Sequence, residues 1–291
     1  MDAIKCRAFL VAAQRGSFTA AAQELGYTQS GITRMINALE EELGFRVFAR
    51  VRGGVQLTDN GHRILPLLEN IVRACQQVEE YSGDICGLVR GTVSVGCYYS
   101  VSFMWMPQII RKFQKRYPHI RVNMLERSNR DLAPLLASRR LDICVGARLS
   151  EVDYEWIPLY RDEMVAWLPQ GHPLTRAKQL MPKMLEGETF IQPLPQQDTD
   201  LDRLLQGENL SMNLRYSTQE AFTAYNMVEA GLGVSLNQRL ISQKWHGQVE
   251  LASFSPPQYF EMGIAVPCLK EASPATRKLI ECIRETVAEL I

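Results

Sequence analysis

The 291-residue sequence lacks any surplus of one charge: Lys+Arg and Asp+Glu are equal at 32 each. Such a chain is not drawn to nucleic acid or to an acidic membrane surface as a polycation, so affinity of that kind must come from a local patch. It also lacks a long apolar run, for nothing approaches the about eighteen consecutive apolar residues that signal a membrane-spanning helix. The opening MDAIKCRAFL meets charge too early for a secretion signal, and a cytoplasmic location is expected. The seven cysteines, at 6, 75, 86, 97, 144, 268 and 282, are odd in number and never spaced as CxxC. That usage fits reduced thiols rather than a disulfide framework or a zinc site. The histidines at 62, 119, 172 and 246 are equally dispersed, and no metal or cofactor is expected. GxSxG, HExxH and Walker motifs are missing, and GLGVSL stops after two glycines of a dinucleotide fingerprint. No catalytic residue is therefore assigned.

What is present is period. Ile4, Ala8, Phe9 and Ala12 share one helical face, and Gly16 closes that block. Ser17 suits the cap of a second helix, where Phe18, Ala21, Ala22 and Leu25 fall at i, i+3, i+4 and i+7 before Gly26. Thr28 suits the cap of a third, with Ile32, Ile36, Leu39 and Leu43 in one stripe before Gly44. Two small-residue helices joined by a tight Gly turn are the pattern of a helix-turn-helix. Projection of the third helix at about 100° per residue puts Ser30, Arg34, Asn37 and Glu41 opposite the stripe, with Thr33 on its flank. These residue types read base edges or hold phosphates. After Gly44, FRVFARVRGGVQLT has the form strand, Gly-Gly turn, strand, and carries Arg46, Arg50 and Arg52 as a basic wing. The charge excess is modest, Lys5, Arg7, Arg15, Arg34, Arg46, Arg50 and Arg52 against Asp2, Glu24, Glu40, Glu41 and Glu42. An alanine-rich bundle can equally be a packing unit, and three arginines a solvated face. The pattern alone leaves both readings open.

The run GSFTAAAQELGYTQSGITRMINALEEELGFRVFAR, followed by GGVQLTDNG, resembles the N-terminal signature of LysR-type transcriptional regulators. GSFTAAA, the LG turn, TQSGITR, LEEELG and the VFAR and LT wing segments carry the resemblance. It implies that Gln29, Ser30, Thr33 and Arg34 face the major groove of double-stranded DNA. It also implies that Arg50 and Arg52 approach phosphates or the minor groove. With Asn37 from the helical projection, these residues make up the expected DNA-contacting set. Many family members have Pro and Ala where this chain has Ser30 and Gly31. Glycine costs about 1 kcal/mol of helix propensity relative to alanine, which softens the helix start.

From Thr58 to Leu88 the sequence is again helical. Ile64, Leu68, Ile71, Cys75, Val78 and Ile85 alternate at spacings of four and three, with Ser82 in the one polar slot. That 3.5-residue period describes a coiled-coil dimer seam, which the resemblance also implies; a helix lying on its own domain is the alternative. Pro66 marks an early bend or a frayed start.

Beyond residue 88 strands alternate with helices, which implies a parallel sheet covered on both faces. GTVSVGC, IRVNMLE, LDICVGA, EMVAWLP, TFIQP, MNLRYS, GLGVSLN and YFEMGIAVP read as strands. MPQIIRKFQKRYP, DLAPLLASRR, MPKMLEG, DLDRLLQG, residues 219–230 and residues 274–291 read as helices. The expected fold is α/β and multidomain: a winged helix-turn-helix over 1–58, a linker helix over 59–88 and an effector domain over 89–291. The last has the two-lobed layout of a type II periplasmic-binding-protein-like fold, lobe I being 89–163 plus 267–291 and lobe II 164–266. RYPHIRVNMLE, LLASRRLDICVGA and NMVEAGLGVSL resemble the corresponding LysR segments.

Open α/β lobes bind ligands beyond the carboxyl ends of their strands. That rule selects YYSVS, RSN, GAR, QPLPQQD and STQE. Ser100, Ser102, Ser128, Gln192 and Thr218 are the expected polar contacts and Arg148 the counter-charge, so a small effector of anionic character is expected. Tyr98, Tyr99, Phe103 and Trp105 suggest an aromatic wall, two of them facing the core. Some LysR-type proteins sense peroxide through a cysteine pair in the second lobe; here no cysteine lies between 144 and 268. The expected partners are a partly palindromic promoter, the effector, further copies of the chain as homodimer or tetramer, and RNA polymerase as a further candidate, with no membrane. A solute-binding module or an enzyme on the same α/β fold is the alternative.

Overall fold

The computed structural model describes residues 1–85, 90–150, 152–196, 199–243 and 245–291. The chain divides into two units, Met1–Gly91 with Ser138–Arg140, and Thr92–Ala137 with Leu141–Ile291.

In the first unit Asp2, Ser17 and Thr28 each accept a backbone N–H three residues on. They thereby start α1 (Ala3–Arg15), α2 (Phe18–Leu25) and α3 (Gln29–Leu43). Left-handed Gly16, Gly26 and Gly44 end them. Strands β1 (Phe48–Val51) and β2 (Gly54–Leu57) pair antiparallel, with Phe48 opposite Leu57. Gly54 has a steric reason: a Cβ there would run into the carbonyl oxygen of Gly16, the acceptor for the Val55 N–H. The core gathers Phe9, Ala12, Ala21, Ile32, Ile36 and Leu39 against Phe48 and Val55. The Phe48 ring lies 5.2 Å from that of Phe9 and 5.3 Å from that of Phe18. Ile4, expected in this core, is 57% exposed, and Cys6 is buried instead.

Helix α4 (Asp59–Ile85) starts where Thr58 Oγ1 accepts the Gly61 N–H, and it runs on through Pro66. Its apolar seam is divided. Leu68 is 2% exposed and belongs to the core of its own unit, which corrects its place in the expected dimer seam, while Ile64 and Ile71 are partly buried against that core. Cys75 is exposed, Val78 is 69% exposed and Ile85 is 86% exposed. Residues 86–88 of the expected linker lie outside the described residues.

The second unit begins with β3 (Gly91–Cys97), α5 (Tyr99–Met104), α6 (Met106–Arg116), β4 (Ile120–Glu126), α7 (Asn129–Ala137) and β5 (Ile143–Ala147). Then come β6 (Glu155–Pro169), β7 (Thr189–Pro193), α8 (Asp200–Gly207), β8 (Asn213–Thr218) and α9 (Ala221–Glu229). It ends with β9 (Ser235–Gln238), α10 (Arg239–Ser242), β10 (Val249–Val266) and α11 (Pro274–Leu290). The main sheet has six strands in the order β4-β3-β5-β10-β6-β9, while β7 and β8 form a separate parallel pair. Strands β6 and β10 are antiparallel from Glu155↔Val266 to Pro169↔Val249 and so belong to both lobes.

Alternation along β6 explains the double cover. Met164, Ala166 and Leu168 enter one core with Phe190, Leu201 and Leu204. Val165 and Trp167 enter the other with Ala224, Tyr225 and Val228 of α9. In the first lobe, Leu132 and Leu136 of α7 cover Leu141, Cys144 and Ala265. Helices α6 and α11 meet each other, with Ile109, Phe113, Leu279 and Ile283 buried.

Five expectations need correction, the first being that the main sheet is mixed rather than parallel, since β10 pairs antiparallel with β5 and β6, and β6 with β9. YYSVS is not a loop but most of α5, and MPKMLEG is a 3-10 turn over Pro182–Leu185. Strand β6 starts at Glu155 rather than Glu163, and β10 at Val249 rather than Tyr259. The early part of β10 holds Pro256 and Pro257, which cannot donate to a ladder; the register shifts between Ser253 and Gln258 to accommodate them.

Because Leu68 belongs to the first core, Leu68→Ala is expected to cost about 2–5 kcal/mol of that unit's stability. Hydrogen exchange of the α1 amides reads this directly. Protection equal to wild type would mean that α4 does not brace the helices.

Candidate nucleic-acid interface and cleft between the lobes

The stripe that buries Ile32, Ile36 and Leu39 forces the opposite face of α3 outward. Gln29, Ser30, Arg34 and Asn37 are exposed, with Thr33 partly so. Gln29 Nε2 donates to Thr33 Oγ1 over 3.3 Å, and Thr33 Oγ1 donates to the Gln29 carbonyl over 2.9 Å. These are local bonds on a solvated face, and base edges can replace them at little cost. Arg50 and Arg52 are exposed on β1 and its turn. Among the described residues neither they nor Arg34 makes an ion pair, so their charge is available to phosphates.

Arg46, expected with them on the wing, instead reaches Glu40, its Nη1 being 2.7 Å from Oε2. The buried Glu40 carboxylate also accepts the N–H groups of Val47 at 2.7 Å and Phe48 at 3.1 Å. Glu40 thus ties α3 to the wing. In the sequence Glu40 registers only as negative charge, although it sits one turn beyond Ile36 on the buried side.

In the second unit a cavity of about 360 Å³ opens between Tyr99, Phe103 and Glu126 of one lobe and Glu220, Phe222 and Trp245 of the other. Leu194, Ala221 and Ile241 make the rest of its wall apolar. Trp245 is the hub of the rings, 5.2 Å from Phe222, 5.1 Å from Tyr225, 5.7 Å from Trp167 and 6.4 Å from Phe103. The Ser102 hydroxyl lies 2.5 Å from Glu126 Oε2 and 2.9 Å from the Tyr99 carbonyl. Burial pushes the Tyr99 phenol up, and the Glu220 and Glu126 charges push it the same way.

The six residues expected to touch an effector are placed differently. Ser100 is fully buried, and its Oγ has no hydrogen-bond partner among the described residues. Ser128 is buried at the start of α7, bonded to Asp131. Arg148 is committed to Glu261 at 2.7 Å and to the Trp156 ring at 4.8 Å. Gln192 donates to Asp202 over 3.2 Å. Thr218 accepts the Leu194 N–H on its carbonyl and the Glu220 N–H on its hydroxyl. None of the six lines the cavity, though Ser102 and Thr218 hold residues that do. Tyr99 and Phe103 line it, while Tyr98 and Trp105 are buried. Both walls of the cavity present a carboxylate, Glu126 on one and Glu220 on the other. Glu126, Glu220, Phe222 and Trp245 were missed as site residues; they come from distant segments that share no period.

Nearby, Arg203 of α8 donates to the Arg148 carbonyl over 2.7 Å, a direct bond between the lobes. Where β6 crosses, buried Asp162 accepts the Leu240 N–H at the start of α10. Desolvation, only partly offset by that bond and by the Glu163 N–H, lifts its pKa to about 7. Burial raises the Cys144 thiol to about 12 and pushes Cys97 up as well, so neither is a ready thiolate. Among the described residues no His, Cys, Asp and Glu cluster could hold a metal, and no helix is long and apolar enough to cross a membrane.

A winged helix-turn-helix with a polar reading face, joined to a two-lobed α/β unit with a cleft, defines a DNA-binding regulator with a ligand-responsive domain. Residues 5–62 match the family described as bacterial regulatory helix-turn-helix protein, lysR family, and residues 87–288 match the LysR substrate binding domain. The chain belongs to the LysR family: it is a DNA-binding transcription regulator with an effector-binding domain. It is 27% identical over 288 residues to the uncharacterized HTH-type transcriptional regulator YvbU of Bacillus subtilis, covering 98% of both chains. Its fold is similar to full-length OxyR from Pseudomonas aeruginosa, with a TM-score of 0.74, 23% identity and 98% of each chain covered. Full-length CbnR in complex with its target DNA gives a TM-score of 0.69 at 16% identity, covering 98% of this chain and 100% of that one.

Removing the Glu40 carboxylate strands two buried N–H groups. Glu40→Ala should therefore cost about 2–4 kcal/mol and speed hydrogen exchange at Val47 and Phe48, and unchanged exchange would show the tie to be idle. For Asp162, the unfolded carboxyl ionises near its ordinary value of 3.8 while the folded one holds its proton to about 7. The folded state thus binds more protons between those values, and the group's contribution to stability falls as pH rises from about 4 to about 7. Asp162→Asn should leave denaturant stability unchanged at pH 4 and raise it at pH 8. An equal effect at both would mean that the carboxylate is not penalised.

Proposed function

We propose that the chain binds a partly palindromic promoter site as a homodimer or a dimer of dimers, reads each half-site with α3, and answers a small molecule held between its lobes. The observation that carries this reading is the single polar face of α3, Gln29, Ser30, Thr33, Arg34 and Asn37, flanked by Arg50 and Arg52. Arginine and asparagine side chains on a helix that fits the major groove pair with guanine and adenine edges; the wing arginines neutralise phosphates and add affinity without sequence preference. One module offers few contacts, so two half-sites are needed. The exposed second half of α4, Cys75, Val78 and Ile85, is the apolar surface suited to join two copies. The CbnR structure holds that protein on its target DNA, which supports the same use of this fold here. The work is placed in the cytoplasm, where promoter and RNA polymerase are both within reach.

DNA selected from a random pool by the full-length chain provides the test, titrated at several salt concentrations. Arg34→Ala is expected to lose about 1–3 kcal/mol on the selected site and far less on random DNA. Arg52→Ala should weaken both and lower the salt slope by about one. Wild-type affinity in Arg34→Ala would remove that residue from the readout. Val78→Glu with Ile85→Glu should give monomers by light scattering, while an unchanged assembly would place the interface elsewhere.

A further inference from the structure

The cleft between the lobes combines two features that together restrict its occupant. Its walls are rings, Tyr99 and Phe103 on α5 facing Phe222 and Trp245 of the other lobe. Its charged groups are carboxylates, Glu126 at the end of β4 and Glu220 before α9, one on each wall. We propose that the ligand of this cleft is an organic cation, an ammonium or amidinium group on an apolar or aromatic body. Its charge lies at Glu126 and Glu220, and its body lies among the rings. This rests on the reading of the cleft as the effector site and adds the chemical class of the effector.

The aromatic faces favour it. A cation within about 6 Å of a ring centroid is attracted by the ring quadrupole, most strongly by tryptophan. Trp245 stands 5.2 Å from Phe222 and 6.4 Å from Phe103, so the rings that line the cavity form one connected aromatic cluster. A cavity of about 360 Å³ suits one ring or a short aliphatic chain with a charged end.

The charges disfavour the alternatives. Arg127, the neighbouring cation, turns its guanidinium to the Glu126 carbonyl at 2.7 Å rather than to the carboxylate. Ser102 bonds one carboxylate oxygen of Glu126 and holds that group at the rim. The charged side chains that line the cavity are the two carboxylates, Glu126 and Glu220. An anion would be repelled from both walls, and a neutral ligand would leave two like charges opposed across a narrowing gap. A cation between them relieves that repulsion and draws the lobes together. Recognition and closure are then one event.

The test uses the full-length chain and three probes of one shape: 2-phenylethylamine, 2-phenylethanol and phenylacetate. Calorimetry and tryptophan fluorescence read binding. The amine is expected to bind at least about tenfold more tightly than the other two, as one charge-assisted hydrogen bond allows. Glu126→Gln with Glu220→Gln should erase that preference and leave the alcohol's affinity unchanged, and Phe222→Ala should weaken all three. These side chains are exposed, so the variants keep the fold. Phenylacetate or the alcohol binding as tightly as the amine, and still weakened by Phe222→Ala, would overturn the cation and leave the cleft as a binding site. No binding of any probe at millimolar concentration, or binding indifferent to Phe222→Ala, would overturn both.

Discussion

The second unit depends on one pairing. Strands β6 and β10 run side by side from Glu155↔Val266 to Pro169↔Val249, and each contributes to both lobes. A pair of extended strands bends more readily than it shears, because sliding by one residue would turn every side chain to the wrong face. The lobes can therefore change their angle without exchanging cores: Met164, Ala166 and Leu168 stay on one side of β6, and Val165 and Trp167 on the other. What opposes or favours closure must lie outside the sheet. Among the elements that bridge the lobes are the Arg203 bond to the Arg148 carbonyl, the Phe103–Trp245 ring contact and the facing carboxylates Glu126 and Glu220. A ligand that prefers one lobe angle by about 1–3 kcal/mol supplies a typical coupling energy.

The first unit works by a simpler constraint. Burial of Ile32, Ile36 and Leu39 fixes which side of α3 meets solvent, and with it the residues that can meet DNA. Glu40 then fixes the wing, since its carboxylate holds the N–H groups of Val47 and Phe48 where β1 begins. Reading helix and wing are thus one rigid surface rather than two.

Most of this architecture was legible in the sequence, because caps and period act locally. Ser17, Thr28, Gly26 and Gly44 do in the structure what their types suggest. Legibility failed where a local signal competes with a distant one. Helix α5 is built from Tyr, Ser and Val, poor helix formers, and Tyr98 gives its start no side-chain cap; burial of Val101 and Met104 holds it in place. Pro256 and Pro257 hid the first half of β10, which a register shift preserves. A period of 3.5 and one of 3.6 differ by only about 20° per heptad, so the sequence could not tell a dimer seam from packing on α4's own unit. Only the exposure of Val78 and Ile85 separates the two halves. The cleft was the least legible feature: Glu126, Glu220, Phe222 and Trp245 meet through topology alone.

The central claim is that two copies of this chain each lay α3 in the major groove of one DNA site. Hydroxyl-radical footprinting of the full-length chain on its selected DNA tests it most directly. The expected result is two protected patches on one face of the duplex, separated by about one helical turn, roughly 10 base pairs, or a multiple of it. A single protected patch, or protection that ignores sequence, would contradict the account.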